Sequence, residues 1–295
     1  MTNNINIYKP PHSRRLTKEE RFEVSENFLP VGALLLAGGG LIAAGLEMAA
    51  PAWVNMWLLC VGLFLLAKAA VLPTADRLAF VFLWPGLDAA AFLRKPTEAM
   101  PLMRRGTVNL IIGTVTIWGM AHTVADPFVA TWVAMVGFIF ALHCGVFTLL
   151  AAGWRNQGRD VKPLMSATVL TGSVTEFWGK RWNHAFRDVA HTLLFKPVTR
   201  RFGAMAGMWA VFLASGLAHE VVVSVPAGAG YGGPTVYFAL QALGMSLERG
   251  CPIKPGLFWR LRALVFLLLP LPLLFHTPFV MNVCHPFFNA IGALP

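Results

Sequence analysis

A histidine and a glutamate stand side by side, His219-Glu220, inside an apolar run long enough to cross a bilayer. Ionisable groups are costly there and usually mark a functional site. At 1.5 Å per residue, His219 lies about 22 Å along a helix from residue 204. Ser215 falls one turn earlier on the same face, and Gly216 and Ala218 keep the surroundings open. Burial disfavours the imidazolium, and a neutral imidazole is a competent general base. The alternative is a core histidine bonded to a neighbouring helix, and the residues alone leave both open. Glu220 points about 100° away on a helix, so it supports the site rather than sharing the proton transfer. His143, beside Cys144 in another apolar run, competes for the role of base. Ser215 as a nucleophile lacks a third group to orient it.

A second stretch, Phe177-Trp178-Gly179-Lys180-Arg181-Trp182-Asn183-His184, is basic, aromatic and amphipathic. Read as a helix over 181–194, it puts Trp182, Phe186, Val189, Ala190 and Leu193 on one face. Lys180, His184, Arg187, Asp188 and His191 share the other. Such a helix lies along the cytosolic interface, apolar face down. Asn183 falls at the border of the faces. Asp188 is spaced to reach His184 and His191, which predicts an interfacial charge network. No clustered carboxylate or cysteine accompanies these histidines, so no metal is expected.

The remaining sequence must hold these two pieces. Of 295 residues, 56% are hydrophobic and 13% charged, about half the charge of a soluble domain. Mean hydropathy is +0.61. This pattern predicts an all-α, polytopic membrane protein with about seven to nine transmembrane or re-entrant helices. Short alternating strands of a β-barrel are absent. The formal net charge of +10 reflects the positive-inside bias, and no nucleic-acid partner is expected. The four cysteines, Cys60, Cys144, Cys251 and Cys284, read as buried apolar side chains.

Residues 1–28 read as a polar cytosolic tail, with a capping-box pattern at Thr17-Lys18-Glu19-Glu20. No cleavable signal peptide is visible in it, and residues 29–295 read as one membrane domain. Spans are expected at 29–47, 53–72, 107–124, 128–152, 204–225 and 234–248. The stretch 263–281, with Pro270, Pro272 and Pro278, is expected to be kinked or split. Gly38-Gly39-Gly40 suggests close helix packing in the first span. Trp84-Pro85-Gly86 interrupts 73–105, which predicts a re-entrant or interfacial pair of short helices. With the N-terminus cytosolic, all 24 Lys and Arg fall in the tail, in the loops 73–105, 153–203 and 249–262, or at their edges. The opposite loops carry Glu47 and Asp126. The compact chain favours a bacterial inner membrane over the endoplasmic reticulum, which would also keep these loops cytosolic. Oligomeric state is not legible.

The spacing of Phe177-Trp178-Gly179-Lys180-Arg181-Trp182-Asn183 and Ser215-Gly216-Leu217-Ala218-His219-Glu220 resembles the wax synthase branch of the membrane-bound O-acyltransferase (MBOAT) superfamily. The resemblance is specific over about 173–225. It implies an MBOAT-like core with a tunnel, and acyl transfer from acyl-CoA to the hydroxyl of a lipophilic alcohol taken from the membrane lipids. His219 becomes the catalytic base, and Asn183 the second motif residue near the thioester. Trp178, Lys180, Arg181, Trp182 and Arg187 are expected to bind acyl-CoA, a co-substrate rather than a resident cofactor. Ser215 and Glu220 support the site. The chain is shorter than most MBOAT enzymes, so peripheral helices are expected to be trimmed. Related sequences also acetylate terpenoids and other small hydroxylated molecules, so the acceptor stays open. A proton-coupled transporter using His219 and Glu220 is the competing class.

Overall fold

Pro51, Asp126 and the Gly-rich stretch after Pro226 divide the apolar sequence into helices joined by tight turns. The structure, a computed structural model, describes residues 28–73, 75–96, 100–250 and 256–294, without the side chains of Phe28, Leu29 and Val169. The expected interfacial helix of the tail lies outside the described residues. Among the described residues every regular element is helical, and none is a strand. Five stretches of the described residues are long and apolar enough to cross a membrane: Pro30–Glu47, Ala52–Ala70, Pro127–Asn156, His184–Ala227 and Leu257–Leu274.

Helix α1 (Phe28–Glu47) and helix α2 (Ala52–Ala70) form a hairpin around Pro51. Their backbones meet at Gly38 and Gly62, where a Cβ on Gly38 would come within 2.9 Å of the Gly62 carbonyl. Only the first glycine of the triplet serves this packing. A Cβ on Gly39 or Gly40 would meet nothing within 4 Å.

The broken region after α2 forms the expected pair of short helices, α3 (Arg77–Phe82) and α4 (Ala89–Leu93). Short helices leave carbonyls unpaired at their ends. Here a buried lysine supplies the donors. Lys68 has no exposed surface, and its Nζ donates to the carbonyls of Phe80 (2.7 Å), Trp84 (2.7 Å) and Gly86 (2.6 Å). The ammonium also sits 3.6 Å from the centre of the Phe80 ring. The sequence placed Lys68 at a loop edge, as part of the positive-inside pattern. In the fold it is an internal staple. The Trp84 indole folds over Gly86, where a Cβ would lie 2.3 Å from its Nε1. At the start of α4, the Asp88 carboxylate accepts from Ala91 N–H.

Helix α5 (Leu102–Val115) continues through a π-helical turn to Thr123. Helix α6 (Pro127–Phe138) passes through a second π-helical turn, Ile139–Val146, into α7 (Phe147–Asn156). Gly113 and Gly145 let this long helix touch α5, with Ala141 and Leu110 opposite them. Helix α8 (His184–Ala190) runs through a further π-turn into α9 (Lys196–His219). The backbone of α9 breaks at Gly203, where φ is +84°. This break separates a basic first part from the apolar part that was read as a span beginning at 204.

Helix α10 (Gly233–Gly250) follows a loop with positive φ at Gly228, Gly230 and Gly232. It and α5 fill the places of the expected third and sixth spans. Neither is among the five apolar stretches: α5 carries Arg104, Arg105 and Asn109, and α10 carries Gln241, Glu248 and Arg249. Helix α11 (Leu257–Leu268) starts earlier than expected, so Arg260 and Arg262 lie on the helix rather than in a loop. Beyond it the proline-rich stretch is split into the short turns Leu271–Leu274 and Thr277–Phe279, as expected. A final helix, α12, spans His285–Ala290.

Candidate active site

The basic aromatic stretch is not one helix from Arg181. Ser173 caps a helical turn, Val174–Glu176, by accepting from Glu176 N–H at 2.9 Å. That turn widens into a π-helical turn, Phe177–Arg181, and the chain then extends at Trp182. Asn183 adopts the left-handed conformation (φ +43°), and α8 begins after it. The Asn183 Oδ1 accepts from Phe186 N–H at 3.2 Å, a cap on α8. Its backbone N–H donates to Met165 Sδ. The predicted 181–194 helix is thus interrupted at the residue expected to meet the thioester. Asparagine tolerates that backbone better than most residues.

Two carboxylates tie this segment down. Glu248 on α10, 5% exposed, accepts from the Val174 and Thr175 N–H groups at 2.8 Å each. Arg262 of α11 stands 3.3 Å from the same carboxylate. Glu176 accepts from Gly172 N–H at 2.7 Å and from Arg181 at 2.6 Å and 2.9 Å. Arg181 also donates to the carbonyls of Ala167 and Ser166. Arg187 donates to Asp188 and to the Gly179 carbonyl. Both arginines were expected to bind acyl-CoA. In the structure they shape the motif, while Lys180, Lys196, Arg200 and Arg201 stay exposed. Asp188 pairs directly with Arg187 and also acts electrostatically on His184 and His191, without a hydrogen bond to either ring. His184 faces the carbonyls of Pro163 and Lys180 instead. An adjacent guanidinium is simply closer to the carboxylate than either imidazole.

Burial alone would raise the Glu176 carboxyl. The Gly172 N–H and the Arg181 guanidinium more than offset this and hold it below its ordinary 4.5. A depressed folded pKa gives stability that is complete above the unfolded value and lost as pH falls through the folded one. The expected result is that wild type melts above Glu176→Gln at neutral pH, and that the gap closes below about pH 4. A gap that persists unchanged at lower pH would show that the charge of Glu176 is not what holds the segment.

The rings of the motif reach His219. The Trp178 Nε1 donates to Gln241 Oε1 at 3.2 Å, and Gln241 Nε2 donates to the Phe266 carbonyl at 2.7 Å. Trp178 packs on Phe212 and Phe238, each with centroids 5.6 Å away, and Phe238 lies 4.6 Å from the His219 ring. On the other side, Phe177 lies parallel to Trp182 at 5.4 Å, and Trp182 lies parallel to His143 at 6.3 Å. The sequence did not single out Gln241, Phe238 or Glu248. A glutamine and a glutamate in a stretch otherwise able to span were the available signal.

His219 is oriented by its own helix. Its Nδ1 meets the Ser215 carbonyl at 2.7 Å. A carbonyl only accepts, so Nδ1 carries the proton, and Nε2 presents a lone pair. Ser215 therefore supports His219 through its backbone. Its hydroxyl donates to the Val211 carbonyl at 2.8 Å, so it is not activated by His219 as a nucleophile. Glu220 opens a π-helical turn, Glu220–Ser224. Its Oε1 accepts from Gly232 N–H, Thr235 N–H and the Thr235 hydroxyl at 3.0, 3.0 and 2.8 Å. A carboxylate is favoured at a helix N-terminus. Glu220 thus pins the start of α10, the helix that presents Phe238 and Gln241 to the site.

Residues 161–240 match the model of the Membrane bound O-acyl transferase family. A relative named "Probable long-chain-alcohol O-fatty-acyltransferase 7" from Arabidopsis thaliana is 33% identical over 73 residues, 22% of each chain. The "Long-chain-alcohol O-fatty-acyltransferase" of Simmondsia chinensis is 30% identical over 102 residues, 30% of this chain and 29% of that one. A third, "Probable long-chain-alcohol O-fatty-acyltransferase 1" from Arabidopsis thaliana, is 36% identical over 73 residues, 22% of this chain and 21% of the relative. The matches therefore span less than a third of these relatives' lengths. Over this segment the likeness to the wax synthase-like branch of the superfamily holds.

Proposed function

We propose that this chain, a polytopic helical membrane protein whose segment 161–240 is of the membrane-bound O-acyltransferase kind, transfers a fatty acyl group from acyl-CoA to the hydroxyl of a lipophilic alcohol. The observation that carries the reading is the fixed tautomer of His219. Its Nε2 lone pair takes the alcohol proton while the alcohol oxygen attacks the thioester carbonyl carbon. The C–S bond breaks, and the proton returns from Nε2 to the CoA sulfur. The products are an ester and free CoA, with no covalent enzyme intermediate. The likeness to long-chain-alcohol acyltransferases supports a long alkyl alcohol as acceptor and a long-chain donor. The exposed Lys180, Lys196, Arg200 and Arg201 suit a polyanionic CoA arriving from the cytosolic side. Glu220, held by three donors at a helix start, supports a positioning role better than a place in a proton path.

The test is CoA release by the purified protein with acetyl-, octanoyl- and palmitoyl-CoA, with and without a long-chain alcohol. Alcohol-dependent release supports transfer, and the preferred donor separates wax-ester synthesis from acetylation. Proton-coupled flux in liposomes without CoA would instead support the transporter class.

For Asn183 the structure makes a sharper test available. The expected polarisation of the thioester carbonyl by its carboxamide is typically worth about 10²–10³ in rate. Asn183→Ala alone is ambiguous, because it also strains the left-handed backbone. Asn183→Gly accepts that backbone and lacks the carboxamide. Both variants are expected to lose rate by a similar factor. A glycine variant that keeps full turnover, beside a slow alanine variant, would reduce Asn183 to a cap.

A further inference from the structure

Six rings run without a gap from His143 to His219: His143, Trp182, Phe177, Trp178, Phe238 and His219. Neighbouring centroids are 6.3, 5.4, 5.1, 5.6 and 4.6 Å apart. Both ends of the row are imidazoles, but they differ in one respect. The Nδ1 of His219 is satisfied by a carbonyl, whereas the Nδ1 of His143 is buried and meets no partner. Elsewhere in the protein, Nδ1 of His122, His184, His276 and His285 each meets a protein atom. A buried polar atom left unpaired costs about 1–3 kcal/mol. Phe138 and Phe147 also close on the His143 ring edge-on. The residue lies on the π-helical turn Ile139–Val146, a widening of the helix often found at functional sites. Asn109 braces that turn by donating to the Cys144 carbonyl at 3.2 Å.

An aromatic wall with one unmatched polar atom is the usual recipe of a site for an apolar molecule with a single polar group. We infer that His143 is a binding point for the hydroxyl of the acceptor alcohol, which docks there before its transfer at His219. This assignment rests on the proposed acyltransferase reading. A hydroxyl both donates and accepts, so one hydrogen bond satisfies either tautomer of His143. The alkyl chain gains the apolar edges of the row, since the faces of His143, Trp182 and Phe177 are stacked on one another.

Two variants separate this role from packing. His143→Phe keeps a ring against Trp182 and removes the nitrogen. His143→Asn keeps a hydrogen-bonding atom near the position of Nδ1 and removes the ring. The expected result is that His143→Phe raises KM for the alcohol about tenfold and raises kcat with it, while the KM for acyl-CoA is little changed, because the docking contact is given up before the transition state at His219. His143→Asn is expected to stay within about threefold of wild type, less than the worth of one hydrogen bond. The reverse order, with Phe tolerated and Asn impaired, would show that only ring packing matters and would overturn the proposal. An unchanged alcohol KM in His143→Phe would do the same, as when a water molecule meets Nδ1. A melting experiment keeps this test separate from the transferase reading. 1-Dodecanol should raise the wild-type midpoint more than dodecane does, and His143→Phe should erase the difference even if no donor supports turnover. A difference that survives in His143→Phe would place the hydroxyl elsewhere.

Discussion

His219→Ala is expected to abolish alcohol-dependent CoA release while leaving the melting curve close to that of wild type. General-base catalysis is commonly worth about 10²–10⁴ in rate, and no other group on the aromatic row offers the same tautomer by construction. The bond from Nδ1 to the Ser215 carbonyl fixes which nitrogen is free. The alanine variant loses that bond, but the carbonyl still belongs to the helix backbone, so the cost to stability is small. Two controls sharpen the result. The variant should still bind acyl-CoA, because the exposed basic residues are untouched. Added imidazole should restore part of the rate if the missing element is only the base. Retained alcohol-dependent turnover in His219→Ala would sink the assignment, and His143 would then become the candidate base. Loss of turnover together with loss of acyl-CoA binding would point to collapse of the site instead.

The largest effect on stability is expected from Lys68→Met. Methionine has a similar length and removes the cost of burying an ammonium, which by itself would favour the variant. The carbonyls decide the sign. Those of Phe80, Trp84 and Gly86 all depend on Nζ, and they lie where the Trp84-Pro85-Gly86 break denies them helical partners. Each orphaned acceptor costs about 1–3 kcal/mol, so the loss outweighs the relief. A net destabilisation of about 3–5 kcal/mol follows, as when one partner is removed from a buried charged cluster. For a chain of this size that corresponds to a fall in melting midpoint of roughly 10 °C in detergent. Proteolysis should report the same change locally, with new cleavage between α3 and α4. Lys68→Arg is not a conservative control, because a planar guanidinium cannot converge on three carbonyls as an ammonium does. A methionine variant as stable as wild type would mean that the turn finds other donors and that the staple is dispensable.

How much of this was legible in the sequence depends on the range of the interaction concerned. The span positions follow from local hydropathy, because each bilayer-crossing helix satisfies its own backbone and needs no information from its neighbours. For the same reason the Trp84-Pro85-Gly86 break announces two short helices, and the prolines after 269 announce a split final stretch. The candidacy of His219 was also legible, since an ionisable side chain is costly in an apolar run, while its choice between base and core histidine was not. Spacing gave its relation to Ser215, because a residue four positions back lies one turn away.

What the tertiary structure alone decided is which polar groups answer each other across the fold. Lys68 read as a boundary charge and became a buried staple 18 residues from one of its acceptors. Arg181 and Arg187 read as ligand-facing charges, and the fold adds that they brace the motif through Glu176 and the Gly179 carbonyl. Glu220 read only as a supporting neighbour, and it is the N-terminal anchor of α10. The amphipathic period carried α8 through Trp182 and Asn183, but the chain breaks there. The Ser166–Arg181 and Leu164–His184 backbone bonds draw that segment onto a loop that no helical period can foresee. Hydropathy and periodicity are one-body and near-neighbour properties, and a sequence displays them directly. The partner of a buried charge is a matter of which distant segments share a few ångströms of low-dielectric space, and only the folded chain settles that.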